Sequence, residues 1–222
     1  MMKTVFVESR YGRKVSLPKS LVSELPESVA LFTPVQFVGS VSAMKKQLEK
    51  AGRRVQLLKP HHSTYSGQLL GCGIQEFRAD FDAFLYIGDG TFHPYALLLK
   101  NSKDVFVFNP FSRSYTRLNE SSKEVKKMRQ RQMAGLVKFH ASKSIGVIVS
   151  TKPGQSRLED ALRLRKKHKE KDFYFMLFDN VDFSQLENFN FIDAFVNTAC
   201  PRIAYDDFEK FPKAVVNVDD II

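Results

Sequence analysis

An α/β fold of two duplicated domains, each a small parallel sheet flanked by helices, is what this sequence predicts, and three observations carry the prediction. Seven short apolar runs, SVALFT, RVQLLK, DAFLYIG, KDVFVF, SIGVIVST, DFYFMLF and IDAFVNTA, have the length and composition of buried strands. Longer polar stretches with helical spacing separate them, and apolar strands alternating with helices form parallel sheets covered on both faces. The same order of elements then occurs twice along the chain.

The first helix is predicted between Phe37 and Ala51, where Val41, Met44, Leu48 and Ala51 recur at three and four residues, with Lys45, Lys46, Glu49 and Lys50 opposite them. Gly52 is its expected C-cap. A second amphipathic helix is predicted from about Leu158 to His168, with Leu158, Ala161, Leu162 and Arg165 on one face. In the first half SVALFTPVQ leads through a helix to RVQLLK and FDAFLYIGDG; in the second, SIGVIVSTKPGQ leads through a helix to DFYFMLF and IDAFVNTACP. Thr33 and Gln36 correspond to Thr151 and Gln155, which points to an old duplication. Gln36 to Asp82 spans 46 positions and Gln155 to Asp193 spans 38, so the first copy holds about eight extra residues, around HHSTYSGQLLGCG. The boundary is placed near Asn119, in the polar cluster of RLNESSKE, giving domains 1–119 and 120–222.

With 222 residues, 43% of them apolar and 26% charged, the chain can bury a real core. It shows neither a signal-peptide apolar region nor a run near the roughly 18 residues that span a bilayer, so a soluble protein without an export signal is expected, with no membrane partner. Two widely separated cysteines are too few for a disulfide framework, and a reducing, cytoplasmic setting fits. The net charge of +10 favours a polyanionic partner without identifying one. Much of the excess lies in KEVKKMRQRQ, Lys123 to Gln132, and RLRKKHKEK, Arg163 to Lys171, which read most simply as solvated helix faces.

Ligands of open parallel sheets collect beyond the carboxyl ends of the strands, and the unusual segments all fall there: TPVQ, GCG, GDGTFHP, STKPGQ and ACPR. One composite site on one edge is the simplest arrangement. GDGTFHP sets two glycines around Asp89 and presents Phe92 and His93; His93 is a metal ligand, a base or a structural hydrogen-bonding residue. STKPGQ resembles a phosphate or carboxylate cradle but lacks Walker A spacing, so nucleoside triphosphate hydrolysis is not expected. Cys72 stands between two glycines and Cys200 before Pro201 and Arg202, positions with room for a bulky ligand, although lone cysteines are commonly buried small hydrophobes. Two thiolates complete neither a tetrahedral zinc site nor an iron–sulfur cluster, so any metal needs a further ligand. Phe111, Tyr115 and nearby aromatics are expected to fill the core.

Taken together and in order, LLGCG, YIGDGTFHP, STKPGQ and NTACPRIAYDD resemble the diphthamide synthase family, the 2-(3-amino-3-carboxypropyl)histidine synthases, over about Thr4 to Val218. The resemblance implies three duplicated α/β domains in a triangle, each giving one cysteine to a central 4Fe-4S cluster, with this chain similar to the second and third. It implies cleavage of S-adenosylmethionine to a 3-amino-3-carboxypropyl radical that adds to a histidine of translation elongation factor 2, a non-standard radical transferase chemistry. By motif, Cys72 and Cys200 would be cluster ligands, Gln155 and the amides around Gly154 would hold the amino acid end of S-adenosylmethionine, and Asp89, His93 and Arg202 would contact cofactor or substrate. The family's first domain, with its cysteine, has no counterpart here, and TVFVESRYGRK matches the stretch joining the first two domains. A heteromer is therefore expected, in which a separate first-domain polypeptide or a complete family subunit supplies the third cluster ligand and an external donor supplies electrons. The alternatives are a noncatalytic partner subunit that positions the elongation factor, and a nucleic-acid-binding protein. The last explains the charge but none of the loops, and nucleic acid is not the expected partner.

Overall fold

The structure, a computed structural model, describes residue 5 and residues 7–222; Thr4 and Phe6 of the TVFVESRYGRK stretch lie outside the described residues. The chain forms two compact units, Met1–Val125 and Lys126–Ile222.

The first unit contains, in order, α1 (Lys19–Glu24), β1 (Ser28–Phe32), a 3-10 turn (Val35–Ser40) running into α2 (Val41–Lys50), β2 (Arg54–Gln56), β3 (Ala83–Ile87), α3 (Phe92–Leu99), β4 (Val105–Phe108) and β5 (Tyr115–Leu118). Its sheet has the order β2-β1-β3-β4-β5, parallel except for β5, which returns antiparallel beside β4. α4 (Lys123–Ala141) crosses the division between the units. The second unit then has β6 (Ser144–Ser150), α5 (Leu158–Lys167), β7 (Asp172–Phe178), α6 (Phe183–Leu186), β8 (Ala194–Asn197), α7 (Arg202–Asp206) and β9 (Val215–Asn217), with a wholly parallel sheet ordered β7-β6-β8-β9.

The two orders are the same arrangement, with β1, β2, β3 and β4 matching β6, β7, β8 and β9. Registers repeat as well: Val29 stands beside Ala83 and Ala30 beside Phe84, as Ile145 stands beside Ala194 and Gly146 beside Phe195. A Cβ on Gly146 would meet the Phe195 ring at 2.7 Å, so only glycine fits that position without a shift. A carboxylate fixes each sheet at its amino end. Asp82 Oδ2 accepts the Ser28 amide at 2.9 Å, and Asp193 Oδ2 accepts the Ser144 amide at 2.9 Å and that of Lys143 at 3.1 Å. Both acids precede the central strand of the DAF motif, which is why FDAF and IDAF correspond.

All seven apolar runs form strands. On α2, Val41, Met44 and Leu48 are buried as the spacing requires, but Ala51 lies past the helix end and is exposed. Gly52 takes φ +77°, as a C-terminal cap demands. On α5 the buried residues are Ala161 and Leu164, which pack into the core of the second sheet, while Leu158 and Arg165 are exposed and Leu162 is half-buried. Two of the runs are edge strands rather than buried ones: β2 and β7 are each partly exposed. Phe111 is exposed too, packed edge-on against Tyr11 at 5.5 Å instead of filling the core. Among the described residues no helix is long and apolar enough to cross a membrane.

Candidate functional site

In the first unit the loop carrying Cys72 is assembled on a buried amide. Gln68 Oε1 accepts the Thr64 and Tyr65 amides at 2.8 and 3.0 Å, while the Ser63 hydroxyl donates to the Gln68 carbonyl at 2.9 Å. Thr33, just beyond β1, ties that loop to the sheet. Its amide donates to Gly67 O, its carbonyl accepts from Leu69, and its hydroxyl donates to Ile87 O at the end of β3. The chain then turns at Leu70–Gly73, closed by the Gly73 amide on Leu70 O at 2.9 Å, with Cys72 partly exposed and in no disulfide.

GDGTFHP meets this turn directly. Gly90 adopts φ +67°, and the chain enters α3 at Phe92, so Phe92 and His93 belong to the helix's first turn. The Phe92 ring occupies the space where a Cβ on Gly71 would lie, so glycine beside Cys72 is a packing requirement. His93 stands edge-on to Phe92 at 5.2 Å and stacks on Tyr86 at 5.8 Å. The Tyr86 hydroxyl lies 2.5 Å from where a Gly88 Cβ would be, is wholly buried and has no hydrogen-bond partner. Burial, and then the charge of Asp89, push its phenol well above the ordinary range, so it is protonated at any physiological pH. Asp89 is exposed, and its Oδ1 accepts from Asn109 at 2.8 Å. Cys72, Phe92, His93, Tyr86 and Asp89 thus line one end of one sheet.

In the second unit β6 and β8 are neighbours, so STKPGQ and ACPR leave the same end of the sheet. Gly154 takes φ +77° in open space, and the Gln155 amide donates to Lys152 O at 3.1 Å; Gly154 and Gln155 are both exposed. Arg157 fixes the far end of this loop, donating from Nε to Asp160 at 2.7 Å and from both terminal nitrogens to Asp219 at 2.8 and 2.6 Å. Cys200, also partly exposed and in no disulfide, sits on a turn built by Asn197. Asn197 Nδ2 donates to Cys200 O at 2.9 Å and to Asn217 Oδ1 at 2.8 Å, while Asn197 Oδ1 accepts the Ala199 amide at 3.1 Å. Asn197 occupies the position of Tyr86 in the repeat. Arg202 is 4% exposed and directs Nε and Nη2 onto Asp206 at 2.9 and 2.8 Å, so it is a fixed support beneath the Cys200 turn rather than a mobile arm.

Gln68, Asn197, Tyr86 and Arg157 were not among the residues singled out from sequence. The one signal for them is position: Tyr86 and Asn197 align in the repeat, while Gln68 immediately precedes LLGCG. Two thiols are soft donors of the kind that iron binds, yet among the described residues no group of three or more His, Cys, Asp or Glu stands together as a metal site. The donors fit an iron–sulfur centre in kind and fall short of it in number.

Two α/β units that share the order of four parallel strands, each presenting a cysteine turn at the carboxyl end of its sheet, define the class of protein. Residues 2–221 match the diphthamide synthesis protein family, and the chain belongs to that family. The 2-(3-amino-3-carboxypropyl)histidine synthase of Pyrococcus horikoshii is 28% identical over 204 residues, covering 90% of this chain and 58% of that protein. Subunit 1 of the same synthase from Encephalitozoon cuniculi is 28% identical over 85% of this chain and 54% of its own length. The crystal structure of Dph2 from Pyrococcus horikoshii matches with a TM-score of 0.77 at 26% identity, covering 91% of this chain and 58% of that one. A second structure of that protein, with a 4Fe-4S cluster, matches at 0.75. The chain therefore spans a little over half the length of these relatives.

Proposed function

We propose that this chain is part of a 2-(3-amino-3-carboxypropyl)histidine synthase, a transferase that cleaves S-adenosylmethionine and passes its 3-amino-3-carboxypropyl group to a histidine of translation elongation factor 2 in the cytoplasm. The observation that carries the reading is that Cys72 and Cys200, in separate units, are each partly exposed thiols on turns at the carboxyl ends of strands, the first following the loop that the buried Gln68 amide closes on Thr64 and Tyr65, the second held at its own carbonyl by Asn197. Turns fixed in this way present a soft sulfur donor where a metal can meet it.

In this reading Cys72 and Cys200 hold two irons' worth of ligation of a 4Fe-4S cluster, and a partner polypeptide supplies the third thiolate. A cluster held there would supply one electron for cleaving the sulfonium carbon–sulfur bond, with an external reductant restoring it. The chain's own residues bind and orient. Amides near Gly154 and the Gln155 side chain take the amino acid end of S-adenosylmethionine, with Arg157 holding their loop in place. Asp89, fixed by Asn109, offers a carboxylate to a cationic group. His93 keeps its ring orientation through the stack on Tyr86. Anaerobic preparation of the chain with and without a partner bearing one further cysteine, followed by iron and sulfide analysis, tests this. A complete cluster formed only with the partner supports it; no cluster in either preparation overturns it.

A further inference from the structure

We infer that Phe92 is a positioning residue for Cys72: its ring, seated on the glycine that precedes the thiol, covers one side of the cysteine turn and limits what reaches the sulfur. The cover is a property of the unliganded chain. Only its purpose, screening a bound metal from water, rests on the reading of Cys72 as a metal-binding thiol. A half-exposed phenylalanine is common on protein surfaces, and Phe92 is 47% exposed. What singles it out is that the fold has made room for it.

A Cβ on Gly71 would fall among the Cδ1, Cε1 and Cζ atoms of Phe92, so the ring rests directly on the backbone beside Cys72. His93 meets that ring edge-on at 5.2 Å and stacks in turn on the buried Tyr86 ring at 5.8 Å, with the two planes 15° apart. Tyr86 depends on a glycine as well, since its hydroxyl lies 2.5 Å from where a Gly88 Cβ would be. Two glycines thus seat a row of three rings that runs from the core of the sheet to the Cys72 turn. Edge-on and stacked rings hold one another in place beyond what their buried area alone provides.

The second unit supplies the contrast. Phe92 stands six residues beyond Tyr86, and Ile203 stands six beyond Asn197, the residue in Tyr86's place in the register. Ile203 packs against the core of its own unit. The turn at Cys200 is held by amide side chains instead, Asn197 on the Cys200 carbonyl at 2.9 Å and Asn217 on the Pro201 carbonyl at 3.1 Å. At Cys72 backbone bonds close the turn, from Gly73 to Leu70 O at 2.9 Å and from Ile74 to Cys72 O at 2.8 Å, and an aromatic ring lies beside it. An apolar cover next to a metal-binding sulfur keeps water away, which lowers the local dielectric and slows attack on the sulfur and on what it holds.

Anaerobic alkylation of the whole chain by itself, at one pH, with Cys72 and Cys200 followed separately by peptide mass spectrometry, tests the inference. Phe92→Ala should raise the rate at Cys72 about tenfold, the factor expected when about half of a phenylalanine's burial is lost, and leave Cys200 unchanged. The gain should be larger for a bulky maleimide than for iodoacetamide, because removing a cover relieves size, whereas a change in thiol acidity speeds both reagents alike. Phe92→Leu should restore most of the protection. Gly71→Ala, which evicts the ring but keeps it in the chain, should act as Phe92→Ala does, and the double variant should add nothing further. In the complex reconstituted with its partner, Phe92→Ala should also release iron to a chelator about tenfold faster. A Cys72 rate that Phe92→Ala leaves unchanged, that rises equally at Cys200, or that rises additively in the double variant overturns the inference. Absence of a cluster from the parent complex would strike the metal reading of Cys72 instead, with the alkylation rates still deciding the cover.

Discussion

At the scale of single residues, the cysteine turns owe their shape to neighbours without metal chemistry of their own. Gln68→Ala leaves the Thr64 and Tyr65 amides without their acceptor, so it should cost about 1–3 kcal/mol in urea unfolding and lower iron loading of the reconstituted complex. Gly71→Ala should displace the Phe92 ring and with it the start of α3, a change read as altered near-ultraviolet circular dichroism. Tyr86 behaves in the opposite sense. Its buried hydroxyl lacks a partner, so Tyr86→Phe should raise the stability of the unliganded chain by about 1 kcal/mol. A lower melting temperature for Tyr86→Phe would mean that the hydroxyl is already satisfied in the unliganded state.

At the scale of elements, the carboxylate at the amino end of the second sheet gives a pH signature. The Ser144 amide, and then that of Lys143, hold the Asp193 carboxyl below its ordinary value of 3.8. A carboxyl depressed in the folded state contributes stability above its unfolded value and loses it as the pH falls through the folded one. Asp193→Ala should therefore lower stability by about 1 kcal/mol at neutral pH, with the difference from the parent chain shrinking in acid denaturation as the pH falls below the ordinary carboxyl value of 3.8. How far the elements could be read in advance depended on how each meets the core. The seven apolar runs were found because central strands of a covered parallel sheet are continuously apolar. β5 escaped because YTRL alternates with charge on a sheet edge, and β9 because three residues make no pattern. α3 was hidden by Pro94, which a first helical turn tolerates. The partial exposure of β7 was missed since an apolar edge strand and a central strand have the same composition. Both cysteine turns and both glycine loops were readable as strand-end features; their amide supports were not, because Gln and Asn are ordinary loop residues until a fold buries them.

At the scale of the whole molecule, the cysteines and the charge make separable predictions. If the proposed reading holds, Cys72→Ser or Cys200→Ser should abolish product formation in a mixture reconstituted with a partner bearing a further cysteine; full retention would favour a noncatalytic partner subunit. Binding to nucleic acid through α4 and α5 would fall steeply with salt through counterion release, so a flat salt response removes that reading. The repeat itself has a further consequence. Asp82 and Asp193 each clamp the floor of their own sheet, at the end opposite that sheet's cysteine turn. Register is set there, so the roof is free to accept insertions, and the longer Cys72 segment of the first unit is one such addition that left strand order untouched. Exchange of that segment between relatives should consequently alter ligand chemistry while the scaffold below stays the same, which makes this fold a natural recipient for grafted sites.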